Sequence, residues 1–388
     1  MSKEKLGLQP AILGMLALGG LGVAACGFTD LQRFGANWFV WSLLLLAVAL
    51  GALFLVALEH LTRAHWSIVL RRVPERLAGL LPWLAVLFAV GAAVGLLGGV
   101  FGWATPEFRA ALAAEPHLHG KSIWYSTPFF LARLVVIFGL WLLSWKLLAG
   151  GSLKQDESRD PRFSLFAKRF SAPFMWIFAI SVSVLAVDWL MGMSPRWFST
   201  IFGVYVFSGI FLSGLAATTL GILFLKKQGR LQEVKPDHLY SLGGFQFAFS
   251  VFWAYAAFSQ FLLIWYANLP EETFWFQARL TDGWYPVTIL LTLARFFVPF
   301  VALLSREVKM DAGRLAWVAG LILFGEVLDL YWIIFPELGR GPLLGWPELA
   351  FALFFVGLGL WLVQRRMQVG KDLPVGDPNL DASLHYHL

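Results

Sequence analysis

The chain is poor in cysteine, charge and histidine. A single cysteine, Cys26, stands among 388 residues. One thiol forms no intrachain disulfide, and it cannot hold an iron–sulfur cluster, which needs several thiolates. Only 14% of residues are charged, whereas 59% are hydrophobic. Soluble domains keep about a quarter of their residues charged, so this composition excludes an ordinary water-facing surface. The seven histidines are His60, His65, His117, His119, His238, His385 and His387. None falls in the middle of an apolar run, which excludes two-histidine haem ligation inside a bilayer. The pairs His117-x-His119 and His385-x-His387 read as solvated loop and tail residues, so no metal site is expected. No phosphate-cradling glycine motif is present. The 37 glycines fall mostly inside apolar runs, where close helix packing uses them.

What is present is a series of long apolar runs. A spanning helix needs about 20 mostly apolar residues. Ten segments qualify, at roughly 10–27, 37–59, 79–102, 127–149, 170–192, 199–225, 241–268, 285–305, 313–335 and 345–364. Lipid offers the backbone no hydrogen bonds, and the runs lack the alternation of a barrel. The expected fold class is therefore an all-α polytopic membrane protein with about ten transmembrane helices. Lysine and arginine set its orientation. The N-terminus, alternate loops and the tail hold 22 of them; the opposite loops hold six, Arg33, Arg109, Lys121, Arg196, Arg279 and Arg340. That bias predicts both termini on the cytoplasmic side. It also accounts for the net charge of +6 without a nucleic-acid partner. Lys3, Lys5 and the run ending Val23-Ala24-Ala25-Cys26-Gly27 resemble a bacterial lipoprotein signal. Cleavage before Cys26 would leave nine spans and a lipidated cysteine; the reading preferred here retains the first helix.

The chain carries a faint internal duplication. Trp38-Phe39 opens the second span and Trp197-Phe198 the sixth, 159 residues apart. Trp124-Tyr125 precedes the fourth span and Trp284-Tyr285 the eighth, 160 apart. Leu131-Ala132-Arg133 recurs as Leu293-Ala294-Arg295, 162 apart. Asp188 precedes Pro195 by seven residues, as Asp329 precedes Pro336. A four-helix unit is even, so both copies point the same way. This predicts two parallel four-helix bundles, spans 2–5 and 6–9, with two flanking helices. The expected divisions are 1–36 (N-terminal helix and loop), 37–192 and 193–335 (the bundles), 336–370 (the tenth helix) and 371–388 (a cytoplasmic tail).

Five ionisable residues fall inside spans: Arg133, Asp188, Arg295, Glu326 and Asp329. Each costs at least about 2.5–3.5 kcal/mol to insert, so each needs a partner or a function. Depth predicts two Arg–Asp pairs, Arg133 with Asp188 and Arg295 with Asp329. Glu326 lies one turn before Asp329 on the same helical face. Two carboxylates so close repel each other, an arrangement from which a proton relay can be built. Pairs of this kind also simply fix helix register.

The seventh span places Gln246, Ser250, Trp253 and Gln260 on one face, and Tyr255, Ser259 and Tyr266 on another. Such faces suit a quinone headgroup, or serve as polar glue between helices. In the outer loop Asn268-Leu269-Pro270-Glu271-Glu272-Thr273-Phe274-Trp275-Phe276, the proline and acidic pair are expected to end the helix. Its aromatics suit a membrane interface or a periplasmic partner. Glu59 and His60 are expected in the headgroup region.

Three stretches carry a family resemblance. They are Asp188-Trp189-Leu190-Met191 with Ser194-Pro195-Arg196-Trp197-Phe198-Ser199-Thr200-Ile201-Phe202-Gly203; Phe252-Trp253-Ala254-Tyr255 with Phe258-Ser259-Gln260 and Ile264 to Thr273; and Leu328-Asp329-Leu330-Tyr331-Trp332. Together they resemble the second, smaller NrfD-like membrane subunit of bacterial alternative complex III, a quinol:cytochrome c (or oxidase) oxidoreductase. The resemblance implies two four-helix bundles with two flanking helices, in the bacterial inner membrane. It implies a sister NrfD-like subunit, a periplasmic iron–sulfur subunit, c-type haem subunits and a terminal oxidase as partners, with lipids around them. It implies menaquinol or ubiquinol as the substrate of the complex, with haem c and iron–sulfur clusters in the partner subunits and no cofactor or catalytic residue on this chain. It assigns the quinol site beside the iron–sulfur subunit to the sister chain, and leaves this chain an anchoring and proton-path function. The competing reading is a stand-alone secondary transporter with duplicated bundles. Transporter repeats are often inverted and broken at matching positions, whereas this repeat is parallel, with no matched breaks in the sequence.

Overall fold

The computed structural model describes residues 9–388; Lys3, Lys5 and the side chain of His117 lie outside what it describes. The protein is an all-α polytopic membrane protein, with no strand among the described residues. Among the described residues, ten helices are long and apolar enough to cross a membrane: Gln9–Thr29, Leu31–Thr62, Arg72–Leu97, Thr127–Ser158, Arg162–Met193, Phe202–Lys227, Pro236–Ala267, Tyr285–Leu304, Ala312–Leu338 and Trp346–Arg366. They are numbered below as the first to tenth spans.

Several helices outrun their apolar segments, because capping sets their ends. The second span starts at Leu31, where the Asp30 side chain accepts from the Arg33 N–H. It ends where Arg63 turns left-handed at φ 55°. Trp38 therefore lies two turns inside this helix, not at its mouth. The third span stops at Leu97, short of the expected 102, because Gly98 and Gly99 (φ +66°) turn the chain.

The second span packs along the third, fifth and sixth, and the sixth along the seventh and ninth. The first span lies along the tenth, which leans on the second. Gly51 and Gly214 meet where the second and sixth spans cross. A Cβ on Gly51 would lie 2.1 Å from the Ile210 carbonyl oxygen, and one on Gly214 only 2.3 Å from the Gly51 carbonyl carbon. Small residues at this crossing let the two backbones touch. The interior around the third to fifth spans is filled by rings. Phe39, Phe88, Phe101, Phe130 and Trp189 interlock with centroids 4.6–5.8 Å apart.

Both ends of the molecule depart from the sequence reading. Residues 371–388 fold back over the basic end. Asp377 binds Arg71 at 2.6 Å, Asp372 bridges Arg76 and Arg230, and the Ser383 carbonyl meets His238. Glu59 and His60, near the end of the second span, are buried, because this tail and Arg71 cover them. At the other end, Asn268 (φ 50°) stops the seventh span. Pro270, Glu271 and Glu272 instead open a short helix, Pro270–Gln277. That fits proline at a first helical position and acids in a first turn. The loop's Trp275 is buried, stacked on Trp197 with centroids 4.3 Å apart. Arg279 lies 3.4 Å over the Trp275 ring and donates to the carbonyls of Trp275, Trp332 and Ile333 and to Glu337. Burial pushes its pKa down to about 10, and Glu337 opposes that shift. The loop is thus a cap clamped onto the sixth to ninth spans.

Candidate functional site

The densest buried chemistry lies between the sixth, seventh, eighth and ninth spans. Arg295 is fully buried and sits on a π-helical turn, Leu293–Phe297, that interrupts the eighth span. Such one-turn bulges re-aim a side chain and recur at functional sites. Its guanidinium donates to Glu326 and, at 3.3 Å, to the Ile322 carbonyl. Asp329 lies 3.7 Å from the Arg295 Nε. The expected Arg295–Asp329 ion pair is present, but within a triad in which Glu326 is the closer partner. The reason is reach: the bulge turns Arg295 toward the inner of the two carboxylates. Gly209 makes room, since a Cβ there would meet Arg295 Nη2 at 2.9 Å and Glu326 Oε2 at 3.0 Å.

Asp329 compensates with neutral donors. The Tyr205 hydroxyl donates to its Oδ1, and Trp253 Nε1 donates to its Oδ2 at 2.9 Å. Tyr205 and Trp253 form part of the wall of a cavity of about 430 Å³, whose lining also includes Gln260, Phe276, Thr288 and Thr292. Ligand pockets commonly combine a mainly apolar lining with a few fixed polar groups. Gln260 is buried, and its Oε1 has no partner within the protein. The cavity is thus walled in part by Gln260, whose Oε1 is buried without a partner, and by two rings whose polar atoms already hold a carboxylate.

The seventh span continues this polarity toward the basic end. Ser250 and Gln246 are fully buried on the Trp253 face, and Gln246 donates to Thr219 at 2.8 Å. The Ser250, Ser213 and Thr218 hydroxyls and Gln246 Oε1 have no protein partner. Buried polar atoms of this kind are commonly bridged by water. The other face of the seventh span behaves differently. Tyr255 is 63% and Tyr266 84% exposed, and Ser259 is only half-buried. Period alone puts these three together, but neighbouring helices cover only the opposite side, so they do not line the cavity.

In the first repeat, Arg133 Nε and Nη2 donate to the two oxygens of Asp188, each at 2.8 Å. Nη2 also reaches the Trp124 carbonyl, and the guanidinium lies 4.2 Å over the Trp124 ring. Asp188 sits on its own π-helical turn, Ala186–Leu190. The two bulges fall on non-equivalent helices, the fifth and the eighth, so they are not matched breaks. Rings occupy this repeat's interior, and its pair has no second carboxylate. Sequence reasoning missed Tyr205, whose neighbours gave it no distinguishing pattern. It also missed the clamps made by Arg279, counted only as loop charge, and by the tail, whose Asp372, Asp377 and Ser383 it did not weigh.

No known protein family matches this chain, and no curated protein matches it.

Proposed function

We propose that this chain is a membrane-anchoring subunit of a respiratory quinol:cytochrome c (or oxidase) oxidoreductase in a bacterial inner membrane, with both termini cytoplasmic. Its partners in this proposal are a sister NrfD-like subunit, a periplasmic iron–sulfur subunit and c-type haem subunits. The observation that carries the reading is the apolar cavity walled by Tyr205 and Trp253, both bonded to Asp329, with the unpaired Gln260 acceptor beside them. A quinol is an apolar ring bearing hydroxyl donors, and this lining complements it. Gln260 Oε1, buried and unpaired, accepts from one hydroxyl once its amide turns into the cavity. The Tyr205 oxygen, itself donating to Asp329, retains a lone pair for a second donor. The carboxylates of Asp329 and Glu326, held by one arginine, are suited to exchange a proton. Ser250, Gln246 and Thr219 lie along the same interior toward the basic end, where water could extend the path.

Two experiments test this. A tagged chain purified from its native membranes in mild detergent should carry partner chains and haem absorbance; a colourless, solitary protein would sink the assembly reading and favour a transporter. Within the assembled complex, Gln260→Leu should weaken a quinone-analogue inhibitor about ten-fold by removing one hydrogen bond. Unchanged inhibition and unchanged turnover would remove the cavity from the proposal.

A further inference from the structure

A second cavity, of about 240 Å³, opens at the basic end between the third, fourth and tenth spans, lined by Arg72, Arg76, Trp145, Lys146 and Arg366 among others. We propose that it binds the phosphodiester headgroup of an anionic phospholipid in that leaflet.

Charge is the first reason. Arg72 pairs with Glu75 at 2.7 Å and Asp156 at 2.6 Å, while Arg76 and Arg230 share Asp372. Lys146 and Arg366 line the same cavity, and neither side chain has an ion pair or hydrogen bond among the described residues. Four cations, Arg72, Arg76, Lys146 and Arg366, therefore line the cavity with one carboxylate, Glu75, while Asp156 and Asp372 lie outside its lining. Arg72 adds a built feature: its side chain is 1% exposed, and its Nε has no partner in the protein. A phosphate bearing several acceptor oxygens answers a cluster of donors of this kind.

Depth and surface favour a lipid over a soluble anion. Lys146 lies 19 residues beyond Thr127, about 28 Å at a rise of ~1.5 Å per residue. That is close to the ~30 Å hydrocarbon thickness, which sets Lys146 at the headgroup boundary. The Trp145 ring lies 5.2 Å from the Arg366 guanidinium. One turn further into the bilayer, Trp83 on the third span meets Trp361 on the tenth edge to face, at 6.4 Å. Trp83 is half-exposed there. An acyl chain descending from the headgroup would run against this ring pair, a surface that free phosphate would not use. Basic pockets between spans are a recurring form of headgroup site.

The test is native mass spectrometry of the full chain, delipidated in detergent and titrated with phosphatidylglycerol or phosphatidylcholine. The wild type should retain phosphatidylglycerol preferentially. Lys146→Gln, at an exposed and unpaired position, should lower that preference about five-fold, and Lys146→Gln with Arg366→Gln by more. Lys154→Gln, outside the cavity lining, should leave it unchanged. Equal retention of both lipids by the wild type overturns the proposal. So does full preference in Lys146→Gln, or displacement of phosphatidylglycerol by millimolar inorganic phosphate.

Discussion

Arg295 and Glu326 bind each other across the eighth and ninth spans, and Asp329 lies one helical turn beyond, 3.7 Å from the same guanidinium. One cation therefore serves two carboxylates, one of which also accepts from Tyr205 and Trp253. Redundancy of this kind makes single and double losses unequal. Glu326→Gln leaves Asp329 to balance Arg295, and Asp329→Asn leaves Glu326. Each should lower stability in detergent by only about 1 kcal/mol, the scale of one hydrogen bond. The double variant strands a buried arginine and should lose about 3–5 kcal/mol. Unfolding of the purified chain followed as a double-mutant cycle checks this. Strict additivity would show that the two carboxylates do not share the charge.

The pair in the first repeat has no such reserve. Arg133 grips both oxygens of Asp188, and among the described residues no other carboxylate contacts Arg133. Arg133→Met leaves an unpaired carboxylate and should cost about 3–5 kcal/mol, whereas Arg133→Met with Asp188→Leu should recover most of it. Thermal unfolding of the three proteins provides the comparison. A double variant no better than the single one would mean that the pair does more than satisfy its own burial.

Ten helices were legible because hydrophobic runs of spanning length admit few alternatives, and the basic excess of alternate loops was equally plain. The repeat located the two arginines and two aspartates at matching positions. What one dimension could not convey was reach. A π-helical turn shifts Arg295 toward Glu326, and no residue type announces that extra residue per turn. Tyr205 and Trp253 approach Asp329 from different helices, so their convergence depends on packing. Tyr255 and Tyr266 shared the period of a buried face but belong to the uncovered side of the seventh span. Arg279 was counted for topology, which registers sign and side but not burial, and that count took no account of acidic residues such as Asp372 and Asp377.

The folded-back tail gives the last prediction, and its pH dependence has a definite sign. Asp372 is partly buried, which raises its pKa, but hydrogen bonds and charge from Arg230 and Arg76 outweigh that and hold it below its ordinary value of 3.8. The groups facing it are those two guanidiniums. A carboxylate with a depressed folded-state pKa contributes stability that is present above its unfolded value and lost as pH falls through the folded one. Docking of residues 371–388 should therefore be insensitive to pH between about 5 and 8 as far as Asp372 is concerned, and should weaken only below about pH 4. Asp372→Asn should imitate that acid state at neutral pH, leaving two guanidiniums without their carboxylate and releasing the segment that also brings Asp377 to Arg71. Hydrogen exchange over residues 371–388 would reveal it: protection should fall in the variant at pH 7 and in the wild type only below about pH 4. Equal protection in both proteins at pH 7 would place the clamp at Asp377 and Ser383 instead.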